Sequence, residues 1–212
     1  AGRYDTSTFR NVVTSGDYAY AGDSYGGLIV INIEDPSNPT LSGNYDTGGY
    51  VYDVAVSENY AYLAAGNYGL VIFNIEDPAN PTLVGTYYTG YARGVTISGN
   101  YAYLADNYGL SIINIEDPSN PTFERTYVTE HGDGDVTIFG NYAYVTDGYG
   151  GLVIFGLDSD NDGFADIIDI FPNDPLEWLD NDEDNVGDNS DRFDDDKAAS
   201  IDSDGDGYPD EW

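Results

Sequence analysis

The sequence predicts an all-β protein built from four copies of one unit, and three observations lead to this prediction. The tripeptide Tyr-Ala-Tyr recurs with steps of 42, 41 and 41 residues. Each copy is followed by a Tyr-Gly turn and then by an apolar strand. The apolar side chains repeat with a period of two, which is typical of a strand and not of a helix. Regular spacing of this kind indicates an array of equivalent structural units. The copies begin at Tyr18, Tyr60, Tyr101 and Tyr142.

The third unit shows the elements most plainly. A first strand runs from Gly94 to Ile97, and a second follows a Ser-Gly-Asn turn at Tyr101 to Ala105. A third strand covers Leu110 to Ile115, and a turn with two prolines leads to a fourth strand around Phe123 to Thr129. Four short antiparallel strands in about 41 residues describe one blade of a β-propeller. A solenoid of sheets is the alternative, although its coils are usually shorter.

The repeat also resembles a known family. The stretch from Gly69 to Thr82 reads Gly-Leu-Val-Ile-Phe-Asn-Ile-Glu-Asp-Pro-Ala-Asn-Pro-Thr. It is similar to the LVIVD repeat of bacterial and archaeal surface proteins. The resemblance covers all four units, roughly residues 1–157, and implies a β-propeller that is usually extracellular and has no shared enzymatic activity.

The ends of the array do not match its middle. The opening residues Gly2 to Thr6 match Gly43 to Thr47, the fourth strand of the first unit, while the fourth unit leaves the pattern after Gly156. An unpaired strand edge exposes backbone donors and acceptors, so we expect the spare strand to fill the vacancy. It does so within its own chain, closing a four-bladed ring, or in a neighbour, giving a head-to-tail polymer. A third alternative is a fragment of a larger ring. The predicted repeat domain is residues 1–157, with units at about 7–47, 48–89, 90–129 and 130–157 and the spare strand at 2–6.

Residues 158–212 form a second segment of a different kind. It holds 21 of the 39 acidic residues and contributes −19 of the net charge of −33. A disordered acidic tail is the simplest interpretation, but the segment is periodic. Asp158 to Gly163 recurs as Asp180 to Asn185 and as Asp202 to Gly207, at steps of 22 residues. Carboxylates at positions 1, 3 and 5, a turn residue at 6, a carbonyl at 7 and an acid at 9 match a calcium loop.

These positions predict a set of ligands for several calcium ions. An EF-hand is excluded because position 12 is Asp and because the period leaves no room for two flanking helices. Many flexible oxygen ligands favour calcium over magnesium, and transition metals lack their usual His and Cys ligands here. The expected ligands are the carboxylates of Asp158, Asp160, Asp162, Asp166, Asp169, Asp180, Asp182, Asp184, Asp188, Asp191, Asp202, Asp204, Asp206 and Asp210 and the backbone carbonyls of Phe164, Val186 and Tyr208.

The acidic segment resembles the thrombospondin type 3 repeat of extracellular calcium proteins. The resemblance rests on the three loops together with the intervening stretches Asp169 to Asp174 and Asp191 to Asp196. In that family such stretches contribute ligands to further ions. The resemblance therefore implies that Asn173, Asp174, Asp195 and Asp196 are ligands as well, although the second stretch lacks the proline of the first.

Composition excludes several classes of function. A net charge of −33 excludes nucleic acid as a partner and disfavours an anionic membrane surface. No apolar run approaches the roughly 20 residues of a membrane span. The chain has no Cys, and therefore no disulfides or thiol chemistry. It also has no Met, from which we expect a processed mature chain or a fragment.

The residues do not favour an enzyme. The single histidine, His131, lies in an acidic, Gly-rich loop where a solvated side chain is the expected state. The Glu-Asp pairs before proline occupy equivalent turns in three units, which indicates turn architecture and not a unique catalytic pair. Each Tyr-Ala-Tyr places one tyrosine at an expected blade interface. Arg93 and the loop from His131 to Asp135 break the repeat symmetry on one face of the ring, where a private ligand site would lie.

Together these features predict an extracellular, calcium-binding structural or adhesive protein of a prokaryotic cell surface, secreted or surface-bound. We expect it to form homo-oligomers, a fibre or a surface layer through strand exchange or through the calcium segment. The alternative is a cell-surface receptor module that binds carbohydrate or protein on the propeller face. Direct insertion into a membrane is not expected.

Overall fold

A computed structural model shows an all-β architecture, as the sequence predicts. The structure describes residues 2–5, 9–24, 27–132, 134–157, 173–179 and 186–190. Within these residues the strands, in chain order, are β1 (Phe9–Ser15), β2 (Tyr18–Asp23), β3 (Gly27–Asn32), β4 (Thr40–Tyr45), β5 (Asp53–Ser57), β6 (Tyr60–Ala64), β7 (Leu70–Asn74), β8 (Thr82–Tyr87), β9 (Gly94–Ser98), β10 (Tyr101–Asp106), β11 (Gly109–Asn114), β12 (Thr122–Val128), β13 (Val136–Phe139), β14 (Tyr142–Thr146) and β15 (Leu152–Gly156). A short 3-10 turn, Gly148–Gly150, precedes β15.

The strands form four separate sheets, one for each repeat. Three sheets have four strands and the fourth has three, β13, β14 and β15, in the part of the chain that the structure describes. In each sheet the strands lie in sequence order, and the pairs whose registers are described are antiparallel. This arrangement confirms the prediction of propeller-type blades, and each sheet is called a blade below.

The repeated acidic turn between the third and fourth strands has a local cause. In blade 1, Oδ1 of Asp35 accepts hydrogen bonds from the backbone N–H and the hydroxyl of Ser37, at 2.9 and 2.6 Å. The carbonyl of Asp35 then accepts the N–H of Asn38 at 2.9 Å. Asp77 and Asp117 form the same turn in blades 2 and 3. The Glu-Asp pairs are therefore turn-forming residues, as the sequence predicts.

The core lies between successive blades. Side chains alternate along a strand, so neighbouring residues of one strand point to opposite neighbours. In β6, for example, Ala61 and Leu63 pack in the cluster between blades 1 and 2, whereas Tyr62 and Ala64 pack in the cluster between blades 2 and 3. The middle strands of blade 2, β6 and β7, are therefore buried on both faces, which explains their nearly continuous apolar sequence.

By its internal contacts the chain divides into two compact units. One comprises residues 1–138 and 144–154, and the other comprises residues 139–143 and 155–212. The clusters between blades 1 and 2 and between blades 2 and 3 lie in the first unit.

Candidate functional site

The first strands of the four blades line a common channel. A cavity of about 470 Å³ is bounded by residues from β1, β5 and β9 and by residues 135–137 at the start of β13. The residue just before the channel-lining valine varies among the blades: Asn11, Asp53, Gly94 and Asp135 occupy this position. The channel is therefore the place where small differences between repeats come together.

Asp53 connects three blades at the channel. Its Oδ1 accepts hydrogen bonds from the Asn11 amide in blade 1 and from the N–H of Val54, and its Oδ2 accepts the N–H of Val95 in blade 3 at 2.8 Å. The side chain is 6% exposed. Burial raises the pKa of Asp53 to about 6, and the nearby charge of Asp135 adds to this effect while the backbone hydrogen bonds oppose it.

The residue before this position creates a second feature. Arg10, Tyr52 and Arg93 occupy equivalent places in blades 1, 2 and 3. The guanidinium carbons of Arg10 and Arg93 lie 5.5 and 5.7 Å from the centre of the Tyr52 ring. Arg93 also lies 5.2 Å from the ring of Tyr91, whose hydroxyl is 2.5 Å from that of Tyr52. We call these four residues the Arg–Tyr cluster.

A small pocket adjoins the Arg–Tyr cluster. It measures about 240 Å³ and shares Tyr91 with the cluster. Its other lining residues are Gly48, Gly49, Tyr50, Ala65, Gly66, Asn67 and Tyr68. The Tyr50 and Tyr52 rings are 6.2 Å apart, which places the pocket directly beside the cluster. We call it the tyrosine pocket.

The floor of the tyrosine pocket departs from the repeat. Ala65 lines it, whereas the other three units have a buried aspartate at the same position: Asp23, Asp106 and Asp147. In blade 3, Oδ1 of Asp106 accepts the N–H of Tyr108 and Oδ2 accepts the Ser111 hydroxyl. The aspartate is thus a structural residue of the hairpin, and blade 2 lacks it.

Local contacts shift the pKa values of the equivalent aspartates Asp106 and Asp147 in opposite directions. Burial raises the pKa of Asp106. At the same position in blade 4, a hydrogen bond from the Thr129 hydroxyl lowers the pKa of Asp147, and hydrogen bonds from the backbone of His131 and Gly132, in the loop between blades 3 and 4, lower it further. His131 lies in this loop, exposed, with Nδ1 at 3.6 Å from Oδ2 of Asp147. The symmetry-breaking loop therefore meets the blade 4 hairpin, whereas Arg93 lies in the Arg–Tyr cluster.

Blade 4 has an open apolar face. Leu152 and Ile154 of β15 are 60% and 52% exposed. Their equivalents in the other blades are buried: Leu28 and Val30, Leu70 and Ile72, and Leu110 and Ile112. On the first blade, Val12 is 57% exposed, although its equivalents Val54, Val95 and Val136 are buried. Among the described residues, these apolar faces of blade 4 and blade 1 therefore do not cover each other.

The opening residues lie against blade 1 in the position of a fourth strand. Tyr4 packs on the cluster of Ala19, Ile29 and Ile31. A Cβ on Gly2 would collide with the carbonyl oxygen of Pro36, as a Cβ on Gly43 would with that of Pro78 and one on Gly85 with that of Pro118. Residues 2–5 thus take the place that the fourth strand of a preceding blade would take. They are not assigned to a strand and do not extend the sheet of β15.

Comparison with known families agrees with this repeat architecture. The model of the LVIVD repeat matches residues 8–47, 48–89, 89–129 and 133–156, which together make up more than half of the chain. The chain belongs to the LVIVD repeat family. Each match covers one blade, and the apolar core of the motif is the third strand, β3, β7, β11 or β15. The fourth LVIVD match is the shortest, in agreement with a blade that has three strands among its described residues.

Solved structures show the same fold. The computationally designed Ika4 protein superposes with a TM-score of 0.59 at 11% sequence identity, over 74% of this chain and 95% of that protein. The computationally designed Ika8 protein gives a TM-score of 0.58 at 11% identity, over 74% of this chain and 48% of that one. These similarities concern the fold alone. A comparison with curated proteins gave no match.

The second unit of this LVIVD protein contains a buried carboxylate that the sequence did not single out. Glu177 is buried, and its Oε2 accepts the N–H of Asn189 at 3.0 Å, while its Oε1 has no hydrogen-bond partner among the described residues. A Cβ on Gly187 would collide with this carboxylate. A buried carboxylate oxygen without a hydrogen-bond partner is of a type that a hard cation such as calcium binds. Among the described residues, however, no three His, Asp or Glu side chains come together as a metal site.

Four of the expected calcium ligands lie among the described residues. Asn173 and Asp174 are exposed, and Oδ1 of Asp174 accepts the N–H of Leu176 at 3.2 Å. The N–H of Asp188 binds the carbonyl of Leu179 at 2.9 Å, next to Val186. The remaining expected ligands fall outside the described residues: Asp158, Asp160, Asp162, Phe164, Asp166, Asp169, Asp180, Asp182, Asp184, Asp191, Asp195, Asp196, Asp202, Asp204, Asp206, Tyr208 and Asp210. The calcium site stays a prediction.

The remaining expectations have mixed outcomes. One tyrosine of each pair is buried at a blade interface in three units (Tyr20, Tyr62 and Tyr103). Arg93 does lie in an asymmetric cluster, as its departure from the repeat indicated, but its partners Arg10, Tyr52 and Tyr91 were missed. An alignment of the four units would have placed Arg10 and Tyr52 at the position of Arg93. It would also have placed Tyr91 two residues before that position. No helix among the described residues has the length and apolarity to cross a lipid bilayer.

Proposed function

We propose that this protein is an extracellular, calcium-binding structural or adhesive protein that assembles head to tail into a fibre or surface layer. The open face of blade 4 carries the proposal, because Leu152 and Ile154 are exposed where every other blade buries them. Removing one such side chain from water contributes about 1.5–3 kcal/mol. The exposed face therefore favours association.

The expected occupant of this face is blade 1 of a second copy. Within the chain, the face that includes Leu28 and Val30 packs against the face of the next blade that includes Val54. Blade 1 presents Val12 at the position of Val54, and that side chain is exposed. A second copy thus offers the same kind of partner surface that blades 2 and 3 present to the blade before them, with no new contact chemistry.

The opening residues complete the same junction. In the second copy, residues 2–5 lie on blade 1 where a preceding fourth strand belongs. The equivalent Tyr45 packs on Phe73 of the next blade, with ring centres 4.6 Å apart. Docking of blade 4 therefore brings residues 2–5 of the second copy alongside the outer edge of the sheet formed by β13, β14 and β15, where they are positioned to add a fourth strand.

A junction of this kind joins two different surfaces of the molecule. The contact is heterologous, and repeating it generates a ring or an open filament and not an isolated dimer. Each added molecule presents a new open blade 4. This supports a fibre or layer as the functional form.

The acidic segment supports an extracellular location. Three loops at 22-residue steps carry carboxylates at calcium-loop spacing, and Glu177 adds a buried carboxylate oxygen that has no hydrogen-bond partner among the described residues. All-oxygen sites built from flexible loops bind calcium with affinities suited to millimolar extracellular concentrations. Calcium would neutralise mutual repulsion in a segment of net charge −19.

The first test compares assembly of matched variants. Leu152→Asp places a charge on the open face and is expected to abolish particles seen by light scattering and electron microscopy. Leu41→Asp is the control, because Leu41 is also an exposed apolar residue but lies on the outer strand β4. Normal assembly of Leu152→Asp, or a monodisperse monomer of the unaltered protein at every concentration with and without calcium, would contradict the proposal.

A second test distinguishes assembly from closure within one chain. By the pairing of Ile29 with Asn44 in blade 1, Arg3 is expected opposite Val153. The chain has no cysteine, so Arg3→Cys and Val153→Cys can be prepared as separate single variants and mixed under oxidising conditions. Head-to-tail assembly gives a disulfide-linked pair that contains one copy of each variant.

Closure within one chain predicts the opposite pattern. The double variant would then form a fast-migrating cross-linked monomer on a non-reducing gel, and the mixed single variants would form no mixed dimer. That result would overturn the proposed strand exchange.

A further inference from the structure

The residues that line the tyrosine pocket are of types that can bind a saccharide. They include Tyr50, Tyr68, Tyr91 and Asn67, around a volume of about 240 Å³. Aromatic rings offer apolar faces on which the C–H faces of a sugar ring can pack, and an amide offers both a donor and an acceptor for hydroxyl groups. The small volume limits the occupant to about one sugar ring.

Two arginines lie beside the tyrosine pocket, although basic residues are rare in this chain. The chain has six basic residues against 39 acidic ones, yet Arg10 and Arg93 both lie against the Tyr52 ring. Arg93 also lies against Tyr91, which is a wall of the pocket. An arginine guanidinium matches the geometry of a carboxylate and can bind it through two parallel hydrogen bonds.

The repeat has lost a negative charge at this one place. Ala65 forms part of the pocket, and the three other units carry a buried aspartate at its position. A carboxylate there would repel an anionic ligand across a short, poorly solvated distance. The presence of Arg93 in blade 3 and the absence of an aspartate at position 65 in blade 2 both favour binding of an anionic ligand.

We propose that the tyrosine pocket binds a sugar ring bearing a carboxylate, that is, a uronic acid unit of an acidic polysaccharide. Tyr50 and Tyr91 contact the faces of the ring, Asn67 binds hydroxyl groups, and Arg93, supported by Arg10, binds the carboxylate. The residues of this site are separate from Leu152, Ile154 and Val12, so the site does not depend on the assembly proposed above. A fibre with this pocket on every subunit would bind acidic polysaccharide at many points.

Titration calorimetry of the full chain with trigalacturonic acid tests the proposal. We expect saturable binding that weakens by about tenfold or more in Arg93→Ala. Arg93→Lys is expected to recover part of the loss, because it keeps the charge but not the two parallel donors. Arg125→Ala is the matched control, since Arg125 lies 5.5 Å from the Tyr127 ring in the same kind of pair on β12.

The repeat itself supplies the most specific variant. Ala65→Asp restores the residue that the other three units carry, and the fold is therefore expected to accept it. Binding of trigalacturonic acid should fall by about tenfold or more, because the new carboxylate lies against the ligand. Circular dichroism of the variant reports whether the fold is retained, and Arg93→Ala keeps the test valid if it is not.

Three results would overturn the proposal. One is the absence of binding at millimolar trigalacturonic acid. Another is equal affinity for the neutral methyl ester of the same trisaccharide, which would show that the arginines do not recognise a carboxylate. The third is Arg93-dependent binding of a tetrapeptide with a free C-terminus at higher affinity than the saccharide, which would assign the pocket to peptide carboxylates.

Discussion

Blades 3 and 4 contain similar third strands in opposite situations. Leu110 and Ile112 of β11 are buried between blades, whereas Leu152 and Ile154 of β15 face solvent. The strand sequences are Leu-Ser-Ile-Ile and Leu-Val-Ile-Phe, so the difference does not lie in the apolar character of the strand itself. It lies in the presence or absence of a following blade. In a repeat protein, burial depends on position in the array as much as on sequence.

The largest expected effect compares the two leucines directly. Leu110→Ala removes a fully buried side chain and is expected to lower the free energy of unfolding by about 4 kcal/mol, since the loss includes a cavity. Leu152→Ala should lower it by less than about 1 kcal/mol in dilute protein. Urea unfolding at low concentration measures both values. Equal losses would show that the face of blade 4 is covered in solution.

A smaller effect compares the equivalent aspartates Asp53 and Asp135. Because burial raises the pKa of Asp53 to about 6, the folded protein keeps a proton that the unfolded chain, with a pKa of about 3.9, releases first. Stability is therefore lost as pH rises from about 4 to about 6, by at most ~3 kcal/mol. The difference in stability between Asp53→Asn and the unaltered protein should change across this window.

The control for this prediction is Asp135→Asn. Asp135 occupies the same repeat position on blade 4 but is exposed, so its substitution should give a smaller change across the same window. Thermal unfolding at intervals from pH 4 to pH 7 gives both difference profiles. Two profiles of equal size would show that the burial of Asp53 is not the cause.

The smallest effect compares Gly85 with Gly2. A Cβ at either position would collide with the carbonyl oxygen of a proline in the neighbouring turn. Gly85→Ala forces a shift inside a formed junction and should lower the free energy of unfolding by about 2 kcal/mol. Gly2→Ala should change the stability of dilute protein little but weaken assembly, because it displaces residues 2–5 from blade 1. Sedimentation at increasing concentration detects this difference, and unchanged assembly would contradict it.

The fold could be predicted from the sequence because the sequence contains four copies of the same structural repeat. The third unit alone places four strands, and the structure puts β9 to β12 within a residue or so of the expected bounds. Repetition makes each strand and turn an independent test of the same pattern. The exposure of Leu152 was less accessible, because its sequence is that of a buried strand and only its missing successor distinguishes it.

The candidate site was only partly accessible for a related reason. Arg93 departs from the repeat and drew attention, but Arg10 and Tyr52 lie far from it in sequence and meet it only when the blades come together. The burial that raises the pKa of Asp53 likewise arises only when the side chain meets residues of blades 1 and 3. Glu177 was missed because it lies outside the calcium-loop template, and only burial marks it.

An array of blades in which blade 1 exposes Val12 and blade 4 exposes Leu152 and Ile154 has two ends. Blades 2 and 3 are each held from both sides, whereas blades 1 and 4 are each held from one side, so their backbone amides should exchange with solvent hydrogen sooner. Joining one molecule to the next would bury the exposed face of blade 4 of one molecule against blade 1 of the next. Slower exchange in β1 and β15 of the assembled form would then record the junction amide by amide, and the subunits inside a filament would resist unfolding better than the two at its tips.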